Sequence, residues 1–278
     1  MKKLAFLLAA ALFAGTSIAQ DLPQPSPAAK VEQRVGLTDI TIEYSRPGVK
    51  GRTVFGDLVP YGKVWRFGAN KATQFTSSTE ISFGGKTLPA GTYAVFAIPQ
   101  ETGAWEIVFN SNTEQWGAGS YEADKNVVSV VVKAVENTFT ETFTLTVTNV
   151  ADNTGTLSMT WEKLRVDVVF DVNTEKIAEA NIKAAIEKGE ELEKVYYRAA
   201  SYYFKSKNDE KKALSLIHKG INVKETHTLY FLRAQILHKQ GHKKEAIEAA
   251  EKAHKLALAA ESKGWADYIK ENVEEWKK

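Results

Sequence analysis

No cysteine occurs in the 278 residues. Disulfides, thiolate nucleophiles, Cys-ligated zinc and iron–sulfur clusters are therefore excluded. Histidine is confined to one end: His218, His227, His238, His242 and His254 are the full set. Everything before them lacks the usual general base and the usual soft metal ligands, so a Ser-His-Asp triad within that stretch is excluded. Neither sign of charge dominates. Residues 20–172 hold 13 basic and 17 acidic side chains, and residues 173–278 hold 21 and 17. Neither part is basic enough for nucleic-acid binding. After the first twenty residues no run is apolar enough to cross a membrane, so no membrane span is expected.

The N-terminus reads as an export signal. Lys2 and Lys3 precede an apolar stretch, Leu4 to Ala14, and Ser17-Ile18-Ala19 has the small-x-small form of a cleavage site. The apolar stretch is short for a bilayer, and without cysteine a lipoprotein anchor is excluded. The sequence thus predicts a signal peptide over 1–19, cleaved after Ala19, and a soluble periplasmic or secreted protein. A disulfide-free exported chain fits a bacterial periplasm or exterior. Residues 20–29 are proline-rich and predict an extended leader.

From Val31 the apolar pattern has period two. Ile40, Ile42 and Tyr44 alternate with Thr41 and Glu43, which predicts a strand with one buried face. Phe75–Phe83 reads as one strand. Tyr93–Ile98 and Trp105–Phe109 flank Pro99–Gly103 as a hairpin. Val127–Val135 reads as a strand of the fully buried type. In Phe139–Val150, Phe143, Leu145 and Val147 alternate with four threonines. The apolar phase slips by one between Trp161 and Leu164, which predicts a bulge near Glu162-Lys163. Short strands without intervening helix predict an antiparallel β-sandwich or jelly-roll-like domain over 30–172.

At Thr174 the period changes to 3.6. Tyr197, Ser201, Phe204, Asn208, Ala213, Ile217 and Gly220 recur 33 residues later as Tyr230, Ala234, Leu237, Gly241, Ala246, Ala250 and Ala253. The offset resembles the tetratricopeptide repeat, whose period is about 34 residues. Arg233 departs from that pattern, standing where it prefers an apolar residue. Residues 173–278 are thus expected to form a tetratricopeptide-like α-helical domain that docks a protein partner. His238 and His242 have a helical metal spacing, but Gly241 between them reads as a helix end, so no metal and no cofactor is assigned.

The densest polar-aromatic segment runs from Tyr44 to Asn70. It holds Arg46, Arg52 and Arg66, three of the five arginines in residues 20–172, among glycines, Trp65 and Asn70. Arginine forks recognise carboxylates, phosphates and hydroxyls and stack on aromatic rings. Two readings stand open: a ligand site, or a loop whose arginines pair with Glu43 and Asp57 and bond backbone carbonyls. Arg46 precedes a proline and reads as structural; Arg66 beside Trp65 reads as a site residue. Trp105, Trp116 and Tyr121 suggest a stacking platform for sugars, with Trp116 exposed on a glycine-rich loop. The candidate ligand-binding residues are Tyr44, Arg46, Arg52, Trp65, Arg66, Asn70 and Trp116; no catalytic residue is assigned.

This segment, with Gly91-Thr92-Tyr93, Trp105 and Phe109-Asn110, resembles the signature of domain-of-unknown-function family 2911, a family of secreted bacterial proteins. The signature positions here are Tyr44, Arg46, Pro47, Gly51, Arg52, Phe55, Gly56, Trp65, Arg66, Gly68, Ala69, Asn70 and Thr73. The resemblance spans roughly residues 26–172. It implies a β-rich extracytoplasmic domain, sometimes followed by tetratricopeptide-like helices, and implies no activity. The sequence reading is therefore a non-enzymatic extracytoplasmic binding protein for a polar ligand, with glycans among the candidates. The alternatives are a carbohydrate-active enzyme using carboxylates such as Glu43 and Asp57, and a structural assembly component.

Overall fold

The computed structural model describes residues 22–278. The export signal expected over 1–19 lies outside the described residues. The chain divides into two compact units between Val172 and Asn173.

Nine antiparallel strands make up the first unit: β1 (Ala28–Val35), β2 (Thr38–Ser45), β3 (Thr73–Ser77), β4 (Ile81–Phe83), β5 (Lys86–Leu88), β6 (Gly91–Ile98), β7 (Ala104–Asn110), β8 (Asn126–Thr148) and β9 (Thr154–Val172). Their order is β1-β2-β3-β6-β7-β8-β9-β4-β5. β8 belongs to both halves of the sheet. Asn126–Lys133 pairs with β7, and Ala134–Thr148 pairs with β9. The sheet folds over at this strand, and inner-face rings from the two halves meet. Phe83 of β4 stacks on Phe109 of β7 at 4.4 Å, and Phe75 of β3 meets Phe170 of β9 edge-on at 6.2 Å. Each buried ring of this kind contributes about 1.5–3 kcal/mol through removal from water.

Four expectations change on inspection of the strands. Strand β1 begins at Ala28, inside the stretch whose prolines read as a leader. Phe75–Phe83 is two strands in different halves of the sheet. The polar run Ser77-Ser78-Thr79-Glu80 interrupts the alternation, and β4 pairs with β9 rather than continuing β3. Val127–Val135 is not buried on both faces: Val128 is buried, while Val131 is 73% exposed. Apolar residues at both phases resemble burial, but here the outer phase faces solvent. Nor does β8 stop between Val135 and Phe139; it runs on for 23 residues. The slip near Glu162 is present. Glu162 has φ 53°, and the β8–β9 register shifts between Glu136 and Thr140 and again between Thr140 and Thr144. The surplus residues lie on β8, opposite the predicted position.

The second unit is six helices: α1 (Thr174–Lys188), α2 (Leu192–Lys205), α3 (Glu210–Val223), α4 (His227–Lys239), α5 (Lys243–Ala259) and α6 (Lys263–Lys277). Asn173, Asp209 and Thr226 cap α1, α3 and α4, each accepting from the backbone N–H three residues on. The 33-residue offset carries α3 onto α5. Ala213 and Ala246 are both fully buried, as are Ile217 and Ala250. Gly220 permits close packing, since a Cβ there would lie 2.9 Å from Leu229 Cδ2 and 3.0 Å from Tyr196 Cβ. Among the described residues no helix is long and apolar enough to cross a membrane.

Candidate functional site

The segment Arg46–Lys71 plugs one end of the β core. Val54 and Phe67 are fully buried, and Phe55 packs at 5.0 Å on Trp105 and 5.9 Å on Trp161. Trp65 stacks on Trp161 at 5.8 Å, and its indole N–H donates to Gly68 O at 3.0 Å. Gly68, at φ +152°, would be strained by any side chain, and a Cβ would lie close, 3.2 Å from Ser45 O and 3.1 Å from Thr73 Oγ1. Trp65 is therefore part of the core. So is Tyr44, whose hydroxyl donates to Leu145 O and accepts from Leu145 N, both at 3.2 Å.

The three arginines do not converge. Arg46 donates from Nε to Phe143 O at 3.1 Å and from Nη2 to Thr144 Oγ1 at 2.8 Å. With the bonds from Phe143 N to Pro47 O and from Val49 N to Glu141 O, it ties the end of β2 to β8. Arg52 is exposed and donates to the carbonyls of Val49 and Gly48 at 3.0 and 2.6 Å, closing its own turn. Asn70, left-handed at φ 57°, donates to Ser26 O and Ser45 Oγ. Among the described residues no ion pair involves Arg46, Arg52 or Arg66. Glu43 and Asp57 do not hold the cluster together.

Arg66 lies apart. Val64 and Arg66 alternate with the core residues Trp65 and Phe67, which turns them to the outer face. There Ala72, Ala94, Phe96 and Val108 form a small second core with Val64 and Tyr121. The Arg66 guanidinium lies beside Gly117, whose Cβ position would be 3.5 Å from Nη1. Its Nε is buried without a hydrogen-bond partner. Burial lowers its pKa from the usual arginine range, because no anion offsets the lost hydration. Gln115 shares this condition. It is 2% exposed, its amide nitrogen donates to Asn110 Oδ1 and Asn112 O, and its Oε1 has no partner.

The outer face also carries a groove of about 430 Å³, whose lining includes neither Arg66 nor Gln115. Ala28, Ala29, Tyr44 and Ala72 give it apolar surface, and Lys30, Glu43, Ser45, Lys71 and Gln74 supply donors and acceptors. The groove connects to the Trp116 loop through backbone pairing. Lys71 bridges Trp116, and Ala72 N donates to Gln115 O at 3.2 Å. Trp116 itself is 71% exposed. Sequence reasoning missed Lys30, Lys71, Gln74 and Gln115. The first and third stand on the polar phase of strands whose apolar phase was legible, and that phase was the available signal.

The helical unit has its own groove of about 490 Å³, lined in part by Tyr197, Arg198, Lys224, Thr226, His227 and Leu256. His238 stacks on Trp276 at 4.5 Å, and His242 lies beyond the end of α4 with Nδ1 3.7 Å from Glu245 Oε1. Among the described residues no group of three or more His, Asp or Glu side chains is placed to hold a metal ion.

The family described as a protein of unknown function (DUF2911) matches residues 26–170, and the chain belongs to it. No curated protein and no solved structure matches the chain.

Proposed function

We propose that this is an extracytoplasmic, non-enzymatic binding protein. Its β unit takes a polar ligand of the glycan type on the outer face, and its tetratricopeptide-like helices dock a protein partner. The observation that carries the reading is the outer groove: alanine surface for a sugar ring, alternating donors and acceptors at its sides, and an exposed tryptophan on the adjoining loop. Sugar sites combine these features, because a pyranose ring offers apolar C–H patches to stack and hydroxyls to bond. The signature aromatics Tyr44 and Trp65 serve this site as its rigid support. The repeat of small buried residues in the helices, and their separate groove, support the docking role.

The test begins with protein recovered from the export fraction, whose intact mass should start at Gln20. That material is run through native gels cast with soluble polysaccharides. Retardation by at least one polysaccharide, weakened about tenfold or more in Trp116→Ala, is the expected result. Mobility unchanged by every polysaccharide would remove the glycan reading, and a mass retaining residues 1–19 would remove the localisation.

A further inference from the structure

We infer that the chain self-associates through the open edge of β1, two copies pairing antiparallel about a two-fold axis at Val31. This goes beyond the glycan and docking readings and does not rest on them. β1 and β5 are the two ends of the strand order, and their edges differ. β5 has three residues, its Lys86 reaches Ser129 O at 2.7 Å, and Pro89 follows it. Shortness, lysine and proline are the usual protections of a sheet edge. β1 runs for eight residues in unbroken register with β2, from the Ala28–Ser45 pair to Val35–Thr38, with no proline and no bulge. Among the described residues no other strand pairs with it.

The turn after β1 fixes which backbone groups this edge presents. Gly36-Leu37 is a two-residue turn with Gly36 at φ 54°, so the flanking pair Val35 and Thr38 exchanges both bonds. The odd positions of β1 therefore bond β2, as Pro27 O does just before the strand in accepting from Arg46 N at 2.9 Å. The N–H and C=O groups of Ala28, Lys30, Glu32 and Arg34 point the other way. Among the described residues only Arg34 O has a partner there, the neighbouring Gln33 Nε2. Ala29 and Val31 pack on the core yet stay half-buried, while Ile40, Ile42 and Tyr44 on β2 are buried; a further strand would cover them. The charges choose the occupant. Centred on Val31, antiparallel pairing sets Lys30 against Glu32 of the second copy twice, Val31 against Val31, and Ala28 against Arg34. Centred on Lys30 or on Glu32, it opposes like charges directly, which destabilises. A register between these sets outward backbone groups against residues whose groups face β2. The exposed Lys30–Glu32 pair within each copy gives way at little cost. Arg34 of the second copy then stands opposite Ala28, at the rim of the outer groove that Ala28 and Lys30 line.

Sedimentation equilibrium of the mature chain at low salt, over about a hundredfold range of concentration, should show a dimer fraction that rises by mass action. Lys30→Glu and Glu32→Lys each create two like-charge pairs across the axis, so each should weaken dimerisation about tenfold or more. Both side chains are exposed, so the melting temperature of either variant should stay within a few degrees of the unaltered chain. An equimolar mixture of the two variants sets glutamates on one copy against lysines on the other, and should dimerise about as tightly as the unaltered chain. A monomer at every concentration overturns the inference. So does a dimer that neither substitution weakens, or a mixture that associates no better than the separate variants.

Discussion

At the scale of single residues, the arginines of one short segment do three different jobs. Arg46 joins strands almost a hundred positions apart through a backbone carbonyl and a threonine hydroxyl. Losing such charge-assisted bonds costs about 1.5–3 kcal/mol each, and Arg46→Ala should lower stability by that order. Arg52 is exposed and bonds only to the turn it belongs to, so Arg52→Ala should change stability by no more than about 0.5–1 kcal/mol. Denaturant titration of the two variants, followed by tryptophan fluorescence, checks the ranking; equal losses would contradict it. The sequence placed these residues together and suggested that Arg46 was structural and Arg66 was not. It could not separate them further, because all three stand amid the same glycines and aromatics. What distinguishes them is the partner: a distant carbonyl, a local carbonyl, or none. Gln115 was illegible for the same reason, since an unpartnered amide oxygen leaves no mark on composition or spacing.

At the scale of elements, the helices are linked by a ladder of ion pairs. Glu179 of α1 meets Lys212 of α3, Glu210 of α3 meets Lys239 of α4, and Glu251 of α5 meets Lys277 of α6. Glu225 before α4 meets Lys252 of α5. In each case a hydrogen bond from the partner holds the carboxyl below the usual range: from Lys212 and then Tyr203 on Glu179, from Lys239 on Glu210, from Tyr230 and then Lys252 on Glu225, and from Lys277 on Glu251. A carboxylate with a lowered folded-state pKa contributes stability that is present above its unfolded value, about 4.3, and disappears as pH falls through the lowered value. His227 acts in the same direction, because burial disfavours its charged form. The helical signal at 222 nm should therefore melt at progressively lower temperature as pH falls from 6 to 3, more steeply than the β unit. An unchanged helical melting point across that range would refute the ladder's contribution. The elements themselves were legible wherever alternation was clean, as at Ile40–Tyr44 and Phe143–Val147. They were misread where pattern alone does not show what covers a face. Val127–Val135 looks buried because valine fills both phases, and the two strands within Phe75–Phe83 look like one because the intervening polar run is short.

At the scale of the whole molecule, each unit has its own core. The β core draws on residues from Val35 to Val172, while two separate clusters hold the helices. A chain of residues 26–172 should fold by itself with an all-β circular dichroism spectrum and a cooperative melt; refolding only on addition of 173–278 would show otherwise. The change of period at Thr174 made this division visible in the sequence, because helical and strand periodicities cannot share a segment. The same β unit also has a schedule. Tyr44 is satisfied by Leu145, which lies 101 positions later. Synthesis proceeds at ~5–20 residues per second, so the first third of the domain waits on the order of ten seconds for its partner strand to exist. Until β8 is delivered, Tyr44, Arg46 and Pro47 at the end of β2 lack their partners Leu145, Phe143 and Thr144. The strand that joins the two halves of the sheet is thus also the domain's clock: it decides when an unfinished, sticky chain becomes a protein, and how long something else must keep it from its neighbours.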